Sequence, residues 1–410
     1  MLWDGARADR RPMSSTTTTV YQARQGQRHA LLALAVGAFA IGVCELAAIG
    51  VIDPLSDDLG ISTSSAGWIV ATYAAGVCLG GPLLATQVGG RDPRRVLLGA
   101  LLVFALCTAA MAAAPSFWLM LVTRGIAGSV HGLYVGVATA HASRLSSPVR
   151  KGQAVALVFG GITVATVVGA PLGAILADLL GWRSAFVAVA IAGALALVGV
   201  ARAVPGRDAA SGREPAPPLR DVLRLPVLMA LGLIVPLMGG IFTLYTYVTT
   251  FLTEHTGMGD GGVSAILLLF GAASAIGTLA GGWLADRFAA GAMILTGAVT
   301  TAALGGLVVL GDLAAPAAAL LALCGLAGFA FVPAYQLRVM SLAGDGAQLA
   351  ATLGASAANA GIVVGSVLGG AVLKASGTAM LAPTATVLCA VSLGAVLLTA
   401  ARADARVVTS

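Results

Sequence analysis

The chain has 410 residues, of which 58% are hydrophobic and only 10% charged, and its mean hydropathy is +0.95. A soluble domain carries about 25% charged residues, so composition excludes a soluble globular protein and points to a chain that crosses a membrane many times. The formal charge is +6, yet the basic residues sit in the tail and in alternate loops, which is the positive-inside bias of a membrane protein and not a nucleic-acid surface.

Residues 1–28 are polar, rich in Arg and Thr, and hold no apolar run, so they are expected to form a disordered cytoplasmic tail and not a signal peptide. Apolar segments follow near 30–53, 66–89, 95–114, 117–143, 152–178 and 183–204. Each clears the roughly 20 residues needed to cross a bilayer. The stretch 205–224, opening Pro205-Gly206-Arg207-Asp208, is polar and reads as a linker. A second set lies near 225–252, 262–287, 291–311, 315–343, 348–374 and 380–401. The expected organisation is therefore a tail (1–28), a six-helix bundle (29–204), a cytoplasmic linker (205–224), a second bundle (225–402) and a short cytoplasmic tail (403–410). The fold class is all-α, a polytopic membrane protein of twelve transmembrane helices in two bundles. Arg91, Arg94, Arg95, Arg144, Arg150, Lys151 and Arg202 mark the cytoplasmic loops, placing both termini in the cytoplasm and the chain in the cell's inner membrane.

The two halves repeat. A helix ends in Gly80-Gly81-Pro82-Leu83-Leu84-Ala85-Thr86-Gln87 and runs into charge, and Ala280-Gly281-Gly282-Trp283-Leu284-Ala285-Asp286-Arg287 does the same 200 positions later. Gly161, Ala165, Gly169 and Gly173 form a stripe of small residues in the fifth span, and Ala357, Gly361, Gly365 and Gly369 match it 196 positions on. Residues four apart share a helix face, so each stripe is a seam for a closely packed neighbour. Parallel repeats of this kind are the architecture of a rocking transporter with its site near the midplane. The five cysteines all lie in apolar segments and read as packing residues.

These residues resemble the major facilitator superfamily, specifically its twelve-span drug:proton antiporter family and the branch of sugar-efflux and chloramphenicol-resistance permeases. The resemblance covers roughly 30–400. The family's loop pattern Gly-x-Leu-Ala-Asp-Arg-x-Gly-Arg-Arg fits Gly282 through Arg287, including Asp286 and Arg287. The first copy has Pro82, Thr86 and Gln87 at the Gly, Asp and Arg positions, followed by Arg91, Arg94 and Arg95. If the Asp caps a neighbouring helix or pairs with an Arg as a conformational latch, Thr86 keeps a hydroxyl but not the charge. Arg124 through Gly128 is similar to the family's Arg-x-x-x-Gly element, and Gly169-Ala170-Pro171-Leu172-Gly173 to its antiporter motif, with Ala170 intervening. The resemblance implies the major facilitator fold, alternating access and proton-coupled export, with Arg124 in the proton relay.

Ionisable groups at bilayer depth are costly and mark function by default. Glu45 lies well inside the first span and is the candidate for carrying a proton; the alternative is a hydrogen-bonded structural carboxyl. Asp53 lies further on, near the outer mouth, as a second coupling candidate or an interfacial helix-end carboxylate. Arg124 needs a partner, either Glu45 or another carboxyl, or backbone carbonyls. His131, seven residues after Arg124, either relays protons or is a packed neutral residue. Tyr73, Tyr134, Tyr245, Tyr247, Gln336 and Asn359 are candidates to line a central substrate cavity, or interfacial anchors in the case of the tyrosines. Pro236 and Pro333 interrupt the seventh and tenth spans.

The His-Glu-x-x-His and Gly-x-x-x-x-Gly-Lys-[Ser/Thr] patterns are absent. No enzymatic activity, metal or cofactor is expected. The expected function is export of a small, moderately hydrophobic compound, a drug or antibiotic, in exchange for protons, by a monomer in the lipid bilayer. The alternatives are an exporter of a sugar or nucleoside metabolite, and a non-transporting receptor or assembly subunit.

Overall fold

The computed structural model describes residues 14–61, 68–206, 219–288 and 290–408. Among the described residues, twelve long helices carry the fold. In the first half they are α1 (Ser14–Gly50), α2 (Trp68–Val88), α3 (Pro93–Ala112), α4 (Phe117–Leu145), α5 (Lys151–Leu180) and α6 (Trp182–Ala203). The second half holds α7 (Leu225–Tyr245), α8 (Asp260–Phe288), α9 (Ala290–Leu310), α10 (Ala314–Ala343), α11 (Ala347–Ser376) and α12 (Leu381–Val408). By length and composition ten stretches qualify as membrane spans, one of which, Ala314–Ser376, contains both α10 and α11. Helix α4 is not among them, because Arg124, His131, Tyr134, His141 and Arg144 lower its hydropathy.

One expectation differs from the structure. Helix α1 begins at Ser14, inside the stretch read as a disordered tail. Gln22, Ala23, Arg24, Gln25 and Gln27 are good helix formers and extend the apolar span backwards into polar sequence. Residues 1–13 and 207–218 lie outside the described residues, so most of the expected linker does too. Its end is ordered: Leu219–Val222 forms one helical turn, and Val222 is buried against Gly346. Pro171, Pro236 and Pro333 all stand within continuous helices.

The halves pack alike. Helix α1 lies against α5 and α6, as α7 does against α11 and α12; α2 packs on α4 as α8 does on α10. The small-residue stripes explain the first pairing residue by residue. A side chain at Gly169 would meet Val43 and one at Gly173 would meet Ala47, while Gly365 meets Gly239 and Gly369 meets Thr243. Gly239 and Thr243 themselves follow Val43 and Ala47 by the same 196 positions. The turns obey the offset as well. Gly181 joins α5 to α6 at φ 84°, and Gly377 leads from α11 towards α12 at φ 74°, a left-handed conformation that favours glycine.

Leu79, Leu83, Leu106, Leu195, Val309, Val367 and Leu398 point outward, as lipid-facing side chains must. Between the halves, α5 meets α8 and α2 and α4 meet α11. Thr163 and Thr278 share a hydrogen bond of 3.1 Å, and the Ser356 hydroxyl donates to the Val77 carbonyl at 3.1 Å. Gly152 faces Gly282, and Gly136 faces Thr352. These contacts gather toward the end where α4 and α8 finish and α5 and α11 begin. That end carries Arg91, Arg95, Arg144, Arg150 and Lys151 and is termed the basic end below. Here the two halves are closed on each other.

Candidate functional site

Arg124 is the largest fully buried side chain among the described residues. A buried guanidinium needs acceptors, and backbone carbonyls of two neighbouring helices provide them. Nε donates to Ile69 O at 3.1 Å, and Nη1 to Cys44 O at 2.9 Å, with Glu45 O at 3.5 Å from Nη2. Its plane also covers the Tyr73 ring, 4.2 Å from the centroid. Among the described residues no carboxylate pairs with it. The carbonyl alternative is the one the fold adopts.

The Arg-x-x-x-Gly spacing now has a local meaning. Residues four apart lie on one face; Gly128 lets the Tyr73 backbone close in while Arg124 lies over the Tyr73 ring. Gly76 and Gly132 extend this close approach, each meeting backbone of the other helix. The helix widens into one π-type turn at Gly76–Gly80, immediately beyond Tyr73.

Tyr73 thereby reaches His131. Its hydroxyl lies 3.1 Å from His131 Nδ1 and 3.3 Å from the Ile41 carbonyl. One arrangement satisfies the phenol, Nδ1 and the Ile41 carbonyl together: Nδ1–H donates to the phenol oxygen and the phenol donates to Ile41. His131 Nδ1 also faces Glu45 Oε2 at 3.7 Å. The two differ sharply in access, for the His131 side chain is 5% exposed and that of Glu45 is 27% exposed. A carboxyl within the span thus has a partly exposed side and, behind it, a chain of His131, Tyr73 and a carbonyl. Tyr73, expected in the substrate cavity, belongs to this buried chain instead. The Asp53 side chain lies outside the described residues.

The other expected cavity residues divide. Tyr134 is buried beneath α1, donating to Leu34 O at 3.1 Å. Gln336 is also buried, donating to Ala351 O at 2.8 Å. Tyr247 donates to Ser366 O at 2.9 Å and lies against Gly369. These three tie helices together, because bulky polar side chains beside small residues fill the space those residues leave. Tyr245 and Asn359 remain half-buried. Tyr245 stacks on Phe270 at 4.1 Å, and Asn359 donates to Ala355 O at 3.0 Å within its own helix.

The repeated loop is asymmetric. Asp286 accepts from the amides of Gly152 and Gln153 at 2.5 and 3.0 Å, capping the first turn of α5, where anions are favoured. Arg287 lies over the Trp283 and Phe288 rings and does not pair with Asp286. Thr86, the counterpart of Asp286, is exposed and donates to Leu83 O of its own helix at 2.7 Å. Arg94 donates to Ala201 O at 2.5 Å, Arg95 lies 3.9 Å from Asp92, and Arg91 is exposed. Pro171 is exposed while Gly169 and Gly173 form the α1 seam.

A further contact escaped the sequence. At the end opposite the basic one, Asp58 accepts from Arg183 at 2.6 Å and Trp182 at 3.1 Å. Arg183 also donates to Ala114 O at 3.3 Å. These donors hold the Asp58 carboxyl below its ordinary range. Arg183, isolated in a loop otherwise poor in basic residues, was the available signal.

A sequence profile of the Major Facilitator Superfamily matches residues 34–358, and the chain belongs to that family of membrane transporters. It is 33% identical over 84% of its length to the inner membrane transport protein YdhP of Escherichia coli (strain K12), covering 89% of that protein. It is 32% identical over 82% of its length to the chloramphenicol resistance protein of Streptomyces lividans, covering 86% of it. The crystal structure of the human organic anion transporter MFSD10 superposes with a TM-score of 0.71 at 19% identity, over 91% of this chain and 99% of that one, a likeness of fold.

Proposed function

We propose that this chain exports a small, moderately hydrophobic compound across the inner membrane in exchange for protons. The observation that carries the reading is Glu45, a carboxyl at span depth that is open on one side and backed by His131 and Tyr73 on the other. Proton exchange requires a group that meets the aqueous cavity in one state of the cycle and is withdrawn from it in another. Arg124, held by carbonyls of α1 and α2, ties those helices to α4 so that the first half moves as one body. The resemblance to a chloramphenicol resistance protein supports a drug-sized cargo. Tyr245 and Asn359 are the half-buried candidates to meet it.

Positive-inside asymmetry assigns the basic end to the cytoplasm and both termini with it. The conformation described here is then closed to the cytoplasm. The functional unit is a monomer.

The test uses acid-loaded inside-out vesicles with a pH-sensitive dye and a panel of chloramphenicol-like drugs, pentoses and nucleosides. A drug in the panel dissipates the gradient only when the protein is present. Glu45→Gln abolishes this while the protein remains folded in the membrane; unchanged exchange in that variant overturns the assignment.

A further inference from the structure

At the basic end, the interface between the halves holds a half-open cavity of about 690 Å³. Ser143 and Arg144 of α4 and Lys151 of α5 line it from the first half. Asp286 of α8, Arg338 of α10 and Asp345 from the turn before α11 line it from the second. Three cations and two carboxylates leave one net positive charge. Asp286, however, is already engaged by the Gly152 and Gln153 amides.

The cations are not engaged. Among the described residues, the side chains of Arg144, Lys151 and Arg338 make no ion pair or hydrogen bond, and Arg338 Nε is buried without an acceptor. A buried donor left unmade is unfavourable, and the positive charges around one cavity repel. A group with several acceptor oxygens pointing in different directions relieves both. Phosphate has that shape, and guanidinium matches it through paired N–H donors. The hydroxyls of Ser143 and Ser341, also in the lining, add neutral donors.

We propose that this cavity binds a phosphate-bearing anion, held by Arg144 and Lys151 from one half and Arg338 from the other, and that its occupancy stabilises the closed basic end. The cations come from both halves, so the site exists complete only while the halves meet here. A ligand that binds one state preferentially shifts the population toward it.

The test places the full chain in phosphatidylcholine nanodiscs and follows its melting temperature. One arm adds inorganic pyrophosphate; the other incorporates phosphatidylglycerol into the nanodisc. At least one arm raises the melting temperature of the unaltered protein, and Arg338→Gln and Lys151→Gln each weaken that response roughly tenfold, as loss of a charge-assisted contact predicts. Arg150→Gln, which removes an exposed neighbouring charge outside the cavity, leaves it unchanged. A response to phosphatidylglycerol alone identifies a lipid headgroup as the ligand, one to pyrophosphate alone a soluble phosphate, and one to both a site open to either. Ligand-free melting of each variant shows whether it folds; should Arg338→Gln fail, Lys151→Gln decides. No response in either arm overturns the proposal. So does an Arg150→Gln loss equal to that of the cavity variants.

Discussion

Glu45 and His131 face each other across 3.7 Å, and the Tyr73 hydroxyl lies on the same imidazole nitrogen at 3.1 Å. If this chain of groups moves the proton, Tyr73→Phe removes a link without emptying the packing. Exchange in vesicles is expected to slow roughly five- to thirty-fold, the equivalent of a lost hydrogen bond of about 1–2 kcal/mol. Cargo binding to the detergent-purified protein should persist.

Arg124→Lys tests the carbonyl anchorage. An ammonium lacks the planar fork that reaches Ile69 and Cys44 together and does not cover Tyr73 in the same way. Loss of one charge-assisted bond costs about 1.5–3 kcal/mol. The variant should melt lower and exchange at least tenfold more slowly, both measurable on the same preparation.

The Asp286 cap makes a directional prediction. Asp286→Ala removes both acceptors for the start of α5, at a cost of about 1–2 kcal/mol, and should move the population several-fold toward an open basic end. Thr86→Asp, which supplies the carboxylate missing from the first copy, should shift it the other way. Distance distributions between spin labels on opposite sides of the α5–α8 seam distinguish the two.

Asp58 links stability to acid. Its carboxyl is held down by Arg183 and then Trp182, so its contribution is fully present above the unfolded-state value of 3.8 and is lost as pH falls through the lower folded value. Melting of the purified protein should therefore decline with acidification in that window. Asp58→Asn should flatten the decline and lower the melting temperature slightly at neutral pH.

The matched seams allow a paired experiment. A side chain at Gly173 meets the Ala47 backbone, and one at Gly369 meets Thr243 O and the Tyr247 ring. Overpacking of this kind typically costs about 1–3 kcal/mol. Gly173→Val and Gly369→Val should each reduce the yield of folded protein in the membrane, by fluorescence-detected chromatography. Gly26→Val, with open space around it, should not.

Much of this was readable in advance, and for a physical reason. Stripe residues such as Gly169 and Gly365 make backbone-to-backbone contacts, and such contacts leave a periodic mark in the chain. Arg124 was legible as a buried charge, but its partners are peptide carbonyls that every residue carries, so nothing in the letters distinguishes Ile69 and Cys44. Tyr134, Tyr247 and Gln336 carry the same chemistry whether they line a cavity or brace two helices. Only the position of the neighbouring backbone separates those uses. The Asp58–Arg183 contact joins groups 125 positions apart with no motif between them.

Arg124 has one further consequence. Its charge is balanced by dipoles of the main chain and not by an acid, so it persists whatever the state of its neighbours. Counting Glu45 and Arg124 alone, the site carries no net charge when Glu45 is ionised and one positive charge when Glu45 is protonated. If Glu45 carries the exchanged proton as proposed, a cationic cargo admitted to the neutral state is repelled when the proton arrives. An anion is drawn in more firmly by the same event. On the proposed exchange, the sign of the cargo's charge thus decides whether proton binding expels it or retains it, and a cargo without negative charge is favoured.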